Sequence, residues 1–224
     1  MIAVLAALLG GVGMSICQWL IYVYAPLEAS MGLAQKIFYL HLPLAWWALI
    51  SFLAVFVFSI AYLAKKRAAY DNISAAAAEI GLLLASLALA SGMIWARLSW
   101  GVWWTWDPRL VTTLVMWFIY SAYLVIRHMD VPLQRRRTVC AVVGIIAFLD
   151  VPLVFFSARI FRSIHPAVFA SGQGGMEPEM KLTAIACVIS LGFLWAALLW
   201  IRTSQLNLAA NAAKLRQKYL YEDE

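Results

Sequence analysis

Residues 37–64 read IFYLHLPLAWWALISFLAVFVFSIAYLA, and this stretch contains no Asp, Glu, Lys or Arg. About 20 consecutive apolar residues are enough to cross the hydrocarbon core of a bilayer as a helix. A helix also satisfies its backbone hydrogen bonds internally, which a membrane interior requires. The stretch therefore predicts a membrane-spanning helix, and it sets the pattern to look for in the rest of the chain.

Five further runs are similarly apolar. The six predicted spans are Met1–Tyr24, Ile37–Ala64, a run centred on Ile80–Ala96, Leu110–Ile126, Thr138–Ala158 and Leu182–Ile201. The 224-residue chain is 65% hydrophobic and 12% charged, with a mean hydropathy of +0.84, which leaves too little polar surface for a water-soluble domain. The first run has no basic residue before it and no small-residue cleavage site after it, so we expect it to be retained. The expected fold is all-α, a polytopic membrane bundle of six transmembrane helices.

The basic residues predict an orientation. With the N-terminus in the cytoplasm, 11 of the 17 Lys and Arg fall in cytoplasmic segments, as the positive-inside rule favours. We expect both termini to be cytoplasmic, and residues 25–36, 99–110 and 159–181 to share the outer face. The chain then divides into a six-span membrane domain, residues 1–203 with an external loop at 99–110, and a cytoplasmic tail, residues 204–224. The net charge of +6 reflects this topology, so the lipid bilayer is an expected partner and nucleic acid is not.

The cysteines exclude one chemistry. Cys17, Cys140 and Cys187 all lie in predicted spans and form no C-x-x-C pair, so we interpret them as small apolar residues. The C-x-x-C-H motif is absent from the sequence, so this chain does not carry covalently attached c-type haem. Phosphate loops, zinc spacings and nucleophile elbows are also absent from the sequence.

A tryptophan-rich loop separates the third and fourth predicted spans. Residues 100–107 read WGVWWTWD, with indoles at Trp100, Trp103, Trp104 and Trp106. Such a loop is typical either of an aromatic belt at the membrane surface or of a site for a large planar ligand. Two histidines favour the second interpretation, because His41 and His165 lie at the outer ends of spans two and five, whereas His128 lies on the inner side.

A haem would use all of these groups. It is a planar apolar disc whose iron takes axial imidazoles and whose propionates need cations or hydrogen-bond donors. His41 and His165 are the candidate ligands, the indoles are candidate ring contacts, and the candidate propionate partners are Arg97, Arg109, Arg159, Arg162 and Lys181. Each group also has a simpler interpretation, in which the histidines are hydrogen-bonded boundary residues and the arginines reach lipid headgroups.

Three motifs carry a family resemblance. Trp100–Leu110, WGVWWTWDPRL, resembles the WWD signature of haem-handling proteins. Lys36–Trp46, KIFYLHLPLAW, and Val151–Pro166, VPLVFFSARIFRSIHP, resemble the segments that hold two outer-face histidines in one WWD family. That family is haem exporter protein C of the bacterial system I cytochrome c maturation pathway, and the motifs occur in its order.

The resemblance implies a function and a location. It implies that the chain holds haem b at the periplasmic side of the bacterial inner membrane, with His41 and His165 as axial iron ligands. The tryptophan loop would hold an exposed haem edge and present it to a periplasmic haem chaperone, which becomes covalently linked to haem through its own histidine. ATP-binding cassette subunits and a small single-span subunit are the other implied partners. Whether this chain assists the covalent attachment, and so acts as an enzyme, stays open.

Two acidic residues need separate interpretations. Asp107 precedes Pro108, which suits a first helical position, so we expect Asp107 to cap span four rather than to accept from an indole. Asp150 interrupts span five near Pro152, roughly 12 Å below the surface. We expect it to have a structural role at a helix irregularity, and the alternative is an ionisable functional group.

Two other functions compete with haem delivery. A membrane b-type cytochrome would hold haem permanently between facing histidines inside the bundle and transfer electrons. A haem-independent transport permease would use interrupted helices and polar residues at the membrane midplane, and only Asp150 suggests one.

Overall fold

The computed structural model describes residues 1–29, 31–161, 163–165 and 176–222, and within these residues the regular structure is helical. The helices are α1 (Ile2–Trp19), α2 (Phe38–Lys65), α3 (Ala68–Trp100), α4 (Pro108–Arg127), α5 (Leu133–Ala147), α6 (Asp150–Ile160) and α7 (Pro178–Glu222). A π-helical turn, Leu20–Tyr24, extends α1, and a 3-10 turn, Leu33–Ile37, precedes α2.

The prediction of an all-α bundle with six spans is confirmed. Six helical segments are long and apolar enough to cross a membrane. The third begins at Ala68, earlier than the apolar run suggested, and α5 and α6 together form the fifth. Between α5 and α6 the helix is interrupted at Phe148 and Leu149, so Asp150 lies in the first turn of α6 and the irregularity expected beside Pro152 is present.

Small residues let α2 and α3 approach closely. Ala75, Ala76, Ala77 and Ala78 of α3 are all buried. At Gly81, a Cβ atom would lie only 2.8 Å from the Cβ of Ser51 in α2, so a larger residue would force the two helices apart. Small residues at such crossings are typical of membrane helices, where close van der Waals packing drives association. Large side chains such as Phe52 and Tyr120 fill the adjoining core. Their rings are stacked, with 3.6 Å between the ring centroids.

Helix α7 packs along α1 and is longer than a membrane span requires. Close contact with α1 occurs at Gly10, where a Cβ atom would lie 2.8 Å from the backbone nitrogen of Leu194. At 45 residues α7 is about 68 Å long, roughly twice the thickness of the hydrocarbon core. The helix continues through residue 203 without a break, so the expected tail begins as an extension of the last span.

The two ends of the bundle differ in composition. One end contains the start of α2, the end of α3, the start of α4 and residues 163–165 beyond α6, and we call it the histidine end. The opposite end contains the start of α3, the end of α4, the start of α5 and the part of α7 around Arg202, and we call it the arginine end.

Candidate functional site

The tryptophan loop is bounded by two helix ends that the sequence specifies. Helix α3 ends at Trp100 because Gly101 adopts φ 77°, a left-handed conformation that favours glycine. Arg97 donates a side-chain hydrogen bond to the carbonyl of Gly101, which closes this end. Helix α4 begins at Pro108, and residues 101–107 form the loop between them.

Asp107 caps α4, as predicted. Its Oδ1 accepts a hydrogen bond from the backbone N–H of Arg109 at 2.9 Å. The same carboxylate also accepts from the Ser163 hydroxyl at 3.0 Å and from the Ile164 N–H at 2.9 Å. Burial raises the pKa of this carboxyl, but these hydrogen bonds outweigh burial and hold the pKa below its usual value. The carboxylate therefore stays ionised at neutral pH and connects the tryptophan loop to the segment after α6.

This connection positions His165. The His165 N–H donates to the Ser163 hydroxyl at 3.1 Å, and that hydroxyl donates to Asp107. Two residues that follow α6 are thus fixed against the start of α4 by a single carboxylate. The sequence did not indicate this link, because Asp107 and Ser163 are 56 residues apart and neither belongs to a local pairing motif.

The structure brings His41 and His165 together. Their ring centroids lie 6.5 Å apart, with 38° between the ring planes. Metal–imidazole nitrogen bonds are about 2 Å long, so a metal between two imidazoles separates the ring centroids by roughly 6 Å. The observed separation is close to that value.

The hydrogen bonds of His41 favour a metal-binding tautomer. Its Nδ1 lies 3.1 Å from the Ser91 hydroxyl, which itself donates to the Ala88 carbonyl. A hydroxyl has one hydrogen to donate, so Ser91 accepts from the Nδ1–H of His41. A neutral imidazole that carries its proton on Nδ1 has its lone pair on Nε2, which is the usual metal-binding arrangement. Gly92 lies against the same ring, since a Cβ there would lie 3.0 Å from its Cε1.

The contact of His165 with Arg109 favours the opposite tautomer. Its Nδ1 lies 3.2 Å from an Arg109 guanidinium nitrogen, and Arg109 also donates to the Phe155 carbonyl at 3.3 Å. A guanidinium only donates hydrogen bonds, so Nδ1 of His165 accepts this one. A neutral ring then carries its proton on Nε2, and a protonated nitrogen is not a metal ligand.

Indoles form the surroundings of the histidine pair. Trp95 lies with its ring centroid 6.5 Å from that of His165 and packs edge to face with Trp100 at 4.9 Å. Sequence reasoning missed Trp95 because it lies within an apolar run, although its position five residues before Trp100 was a usable signal. Trp103 and Trp106 point outward, with 55% and 79% of their surface exposed, and Trp104 packs edge to face with Trp106.

The other candidates from the sequence are Arg159, Arg162, Lys181 and His128. Arg159 belongs to α6 but its side chain is outside the part of the chain that the structure describes, as is the whole of Arg162. Lys181 is exposed near the start of α7. His128 lies at the arginine end, where its Nδ1 is 2.7 Å from the Leu124 carbonyl, so it takes no part in the histidine pair.

Comparisons with known proteins agree along most of the chain. The family model described as Heme exporter protein C matches residues 1–218. A putative cytochrome c biosynthesis ccmC-like mitochondrial protein of Marchantia polymorpha is 26% identical over 186 residues, which cover 83% of this chain and 79% of the relative. Heme exporter protein C of Escherichia coli strain K12 is 25% identical over 185 residues, covering 83% of this chain and 75% of the relative. Heme exporter protein C of Rhodobacter capsulatus is 26% identical over 202 residues, which cover 88% of this chain and 83% of the relative. The chain is therefore a member of the heme exporter protein C family.

Proposed function

We propose that this protein binds haem b at the histidine end, on the periplasmic side of the bacterial inner membrane, and delivers it to a periplasmic haem chaperone. Family membership supports a role in haem handling for cytochrome c biogenesis. The observation that carries the residue assignment is the 6.5 Å separation of the His41 and His165 rings. Haem is here a cargo, and its iron supplies the two coordination positions that the imidazoles fill.

Arg109 has two roles in this proposal. Without cargo it holds His165 in the tautomer that does not bind metal, through the 3.2 Å contact with Nδ1. A propionate is a stronger partner for a guanidinium than a neutral imidazole, because both groups are charged and the pair can be bidentate. When cargo enters, Arg109 turns to a propionate and leaves Nδ1 of His165. The ring can then lose its Nε2 proton to solvent and take one up on Nδ1, and Nε2 becomes the second ligand. His41 is already in the ligating tautomer and binds first.

The indoles divide between holding and presenting the cargo. Trp95 and Trp100 lie beside His165 and would contact the macrocycle. Trp103 and Trp106 are exposed, so they suit a surface that meets another protein. Aromatic residues at the centre of an interface contribute much of the binding energy there. We propose that the chaperone docks on these two residues and receives haem at its exposed edge.

The wider assembly follows the family. We propose that both termini are cytoplasmic, as the distribution of Lys and Arg favours. ATP-binding cassette subunits and a small single-span subunit are the proposed membrane partners. The excess of basic residues at the arginine end supports this orientation, because that end would face the cytoplasm.

Co-expression with the haem chaperone tests the proposal. Covalent haem on the chaperone is scored in cells that contain wild-type protein, His41→Gly, His165→Gly or the control His128→Gly. We expect loading to fall severely in the first two variants and to stay normal in the control. Normal loading in both His41→Gly and His165→Gly would refute the assignment, and a protein that retains haem but never loads the chaperone would support electron transfer instead.

A further inference from the structure

A polar cleft lies at the arginine end, remote from both histidines of the proposed haem site. Its volume is about 320 Å³. Helices α3, α4, α5 and α7 all contribute to its walls. The charged and polar lining residues are Asp71, Asn72, Glu79, Arg127, His128, Arg136, Arg137 and Arg202.

The centre of the cleft contains two arginines that share one carboxylate. Oδ2 of Asp71 lies 2.9 Å from a guanidinium nitrogen of Arg127 and 3.2 Å from Nε of Arg137. All three side chains are largely withdrawn from solvent, with 14% of each arginine and 5% of the aspartate exposed. One carboxylate can neutralise only one guanidinium. A buried charge without a counterion is costly, so this arrangement favours the entry of an anion.

The other charges of the cleft do not remove this excess. Arg202 and Glu79 form a bidentate ion pair and neutralise each other. Two guanidinium nitrogens of Arg202 lie 2.5 Å and 3.0 Å from the two carboxylate oxygens of Glu79. Arg136 is half-buried and donates to the Met129 carbonyl at 3.4 Å, a contact that brings no negative charge. In the part of the chain that the structure describes, four arginines of the lining therefore face two carboxylates.

We propose that this cleft binds the phosphate group of an anionic ligand. Guanidinium groups match the geometry of phosphate oxygens, and basic pockets between transmembrane helices on the cytoplasmic side are typical sites for anionic lipid headgroups. The cleft lies where α4 ends and α5 begins, at the ends of two candidate membrane spans. Its lining also includes Leu133 and Leu206, which suit the adjoining glycerol and acyl carbons. The ligand chemistry is thus a phosphate ester, and its source is either a phospholipid or a soluble phosphate compound.

Native mass spectrometry of the full-length protein in detergent tests this site. The protein is titrated separately with dioleoyl phosphatidylglycerol, dioleoyl phosphatidylcholine and inorganic pyrophosphate. The test variant is Arg136→Gln, which removes one positive charge without breaking an ion pair of the described residues. The matched control is Arg135→Gln, an identical change at the neighbouring residue, which is exposed and does not line the cleft. Arg136→Lys retains the charge and shows whether a loss of binding in Arg136→Gln comes from the missing charge.

We expect wild-type protein to prefer phosphatidylglycerol over phosphatidylcholine. Arg136→Gln should weaken phosphatidylglycerol binding about fivefold, while Arg135→Gln and Arg136→Lys should bind nearly as well as wild type. If pyrophosphate shows this dependence on Arg136 and the lipid does not, the site is supported and its ligand is soluble. Equal binding of the two lipids with no effect of Arg136→Gln on pyrophosphate would overturn the proposal. An equal loss in Arg135→Gln would also overturn it, because the effect would then reflect overall charge.

Discussion

The carboxylate of Asp107 accepts a hydrogen bond from the Ser163 hydroxyl at 3.0 Å, and this bond joins the tryptophan loop to the segment that presents His165. Asp107 therefore connects the loop before α4 to the segment after α6, and Arg109 adds a second contact between the same two regions. Changes to Asp107 should affect haem retention without removing a ligand or an indole.

The first prediction concerns Asp107→Asn. Asparagine can still cap α4 through its Oδ1, but its NH₂ group then replaces Oδ2, the oxygen that accepts from the Ile164 N–H. We expect a loss of about 1–3 kcal/mol of stability for this link, and weaker haem retention at normal protein abundance. The measurements are the midpoint of thermal unfolding in detergent and the haem content after washing. Unchanged haem content would show that the link does not position His165.

The lowered pKa of Asp107 predicts how the stability difference between wild type and Asp107→Asn depends on pH. A folded-state pKa below the usual 3.8 means that the carboxylate contributes its full stability above that value and loses it as the pH falls through the folded pKa. The stability difference between wild type and Asp107→Asn should therefore be constant between about pH 8 and pH 5, and should shrink only below about pH 4. A difference that closes between pH 8 and pH 6 would contradict the assignment of an ionised link.

The second prediction concerns the two proposed roles of Arg109, which are contact with a propionate and contact with His165. Haem and haem dimethyl ester distinguish these roles, because the ester has no free propionate. Arg109→Ala should bind haem more weakly than wild type by about 1.5–3 kcal/mol, the usual value for a hydrogen bond to a charged group. The same variant should bind the dimethyl ester at least as tightly as wild type, because Nδ1 of His165 no longer has to be released from Arg109. Equilibrium titrations of both ligands give the comparison, with Arg135→Ala as the control at the opposite end. Equal losses for the two ligands would argue against a propionate contact.

The third prediction distinguishes exposed from packed indoles. Trp103→Ala and Trp106→Ala remove side chains that mainly contact solvent, so we expect normal protein levels and normal haem binding but poor loading of the chaperone. Trp95→Ala removes a ring beside His165 and should lower haem binding itself. Immunoblots of membranes, haem spectra and chaperone loading are measured together. If the Trp103 and Trp106 variants disappear from the membrane, the loop is an aromatic belt and not a docking surface.

The fourth prediction concerns Gly92, which lies close to the His41 ring. A Cβ atom at Gly92 would lie 3.0 Å from Cε1 of His41, so Gly92→Ala should displace the ring by a few tenths of an ångström. Gly92→Val should displace it further. We expect graded losses of haem retention, Val more than Ala, at normal protein abundance. Gly11→Ala is the matched control, since a Cβ there meets nothing within 4 Å. Equal behaviour of the Gly92 and Gly11 variants would show that the His41 ring position is not critical.

The sequence predicted the features that depend on local composition. Six spans followed from apolar runs of sufficient length, and the Asp107 cap followed from its position before Pro108. It also indicated that His41 and His165 belong to the same end. These predictions succeed because membrane burial and helix capping act over a few neighbouring residues.

The missing features depend on how distant segments meet. The Asp107–Ser163 bond and the Arg109–His165 contact each span 56 residues, and no local pattern specifies them. The tautomers of the two histidines likewise follow from Ser91 and Arg109, which only the folded bundle brings to the rings. Trp95 was missed for a related reason, because its ring meets that of His165 only in the folded bundle.

The most direct test of the central claim is the absorption spectrum of haem on purified His41→Gly and His165→Gly proteins, with His128→Gly as the control. We predict that each of the first two variants loses Soret intensity, and that added imidazole, which can occupy the space left by the missing ring, restores part of the spectrum. The His128→Gly spectrum should match that of wild type. Wild-type spectra in both His41→Gly and His165→Gly, with no response to imidazole, would show that the two histidines do not hold the iron.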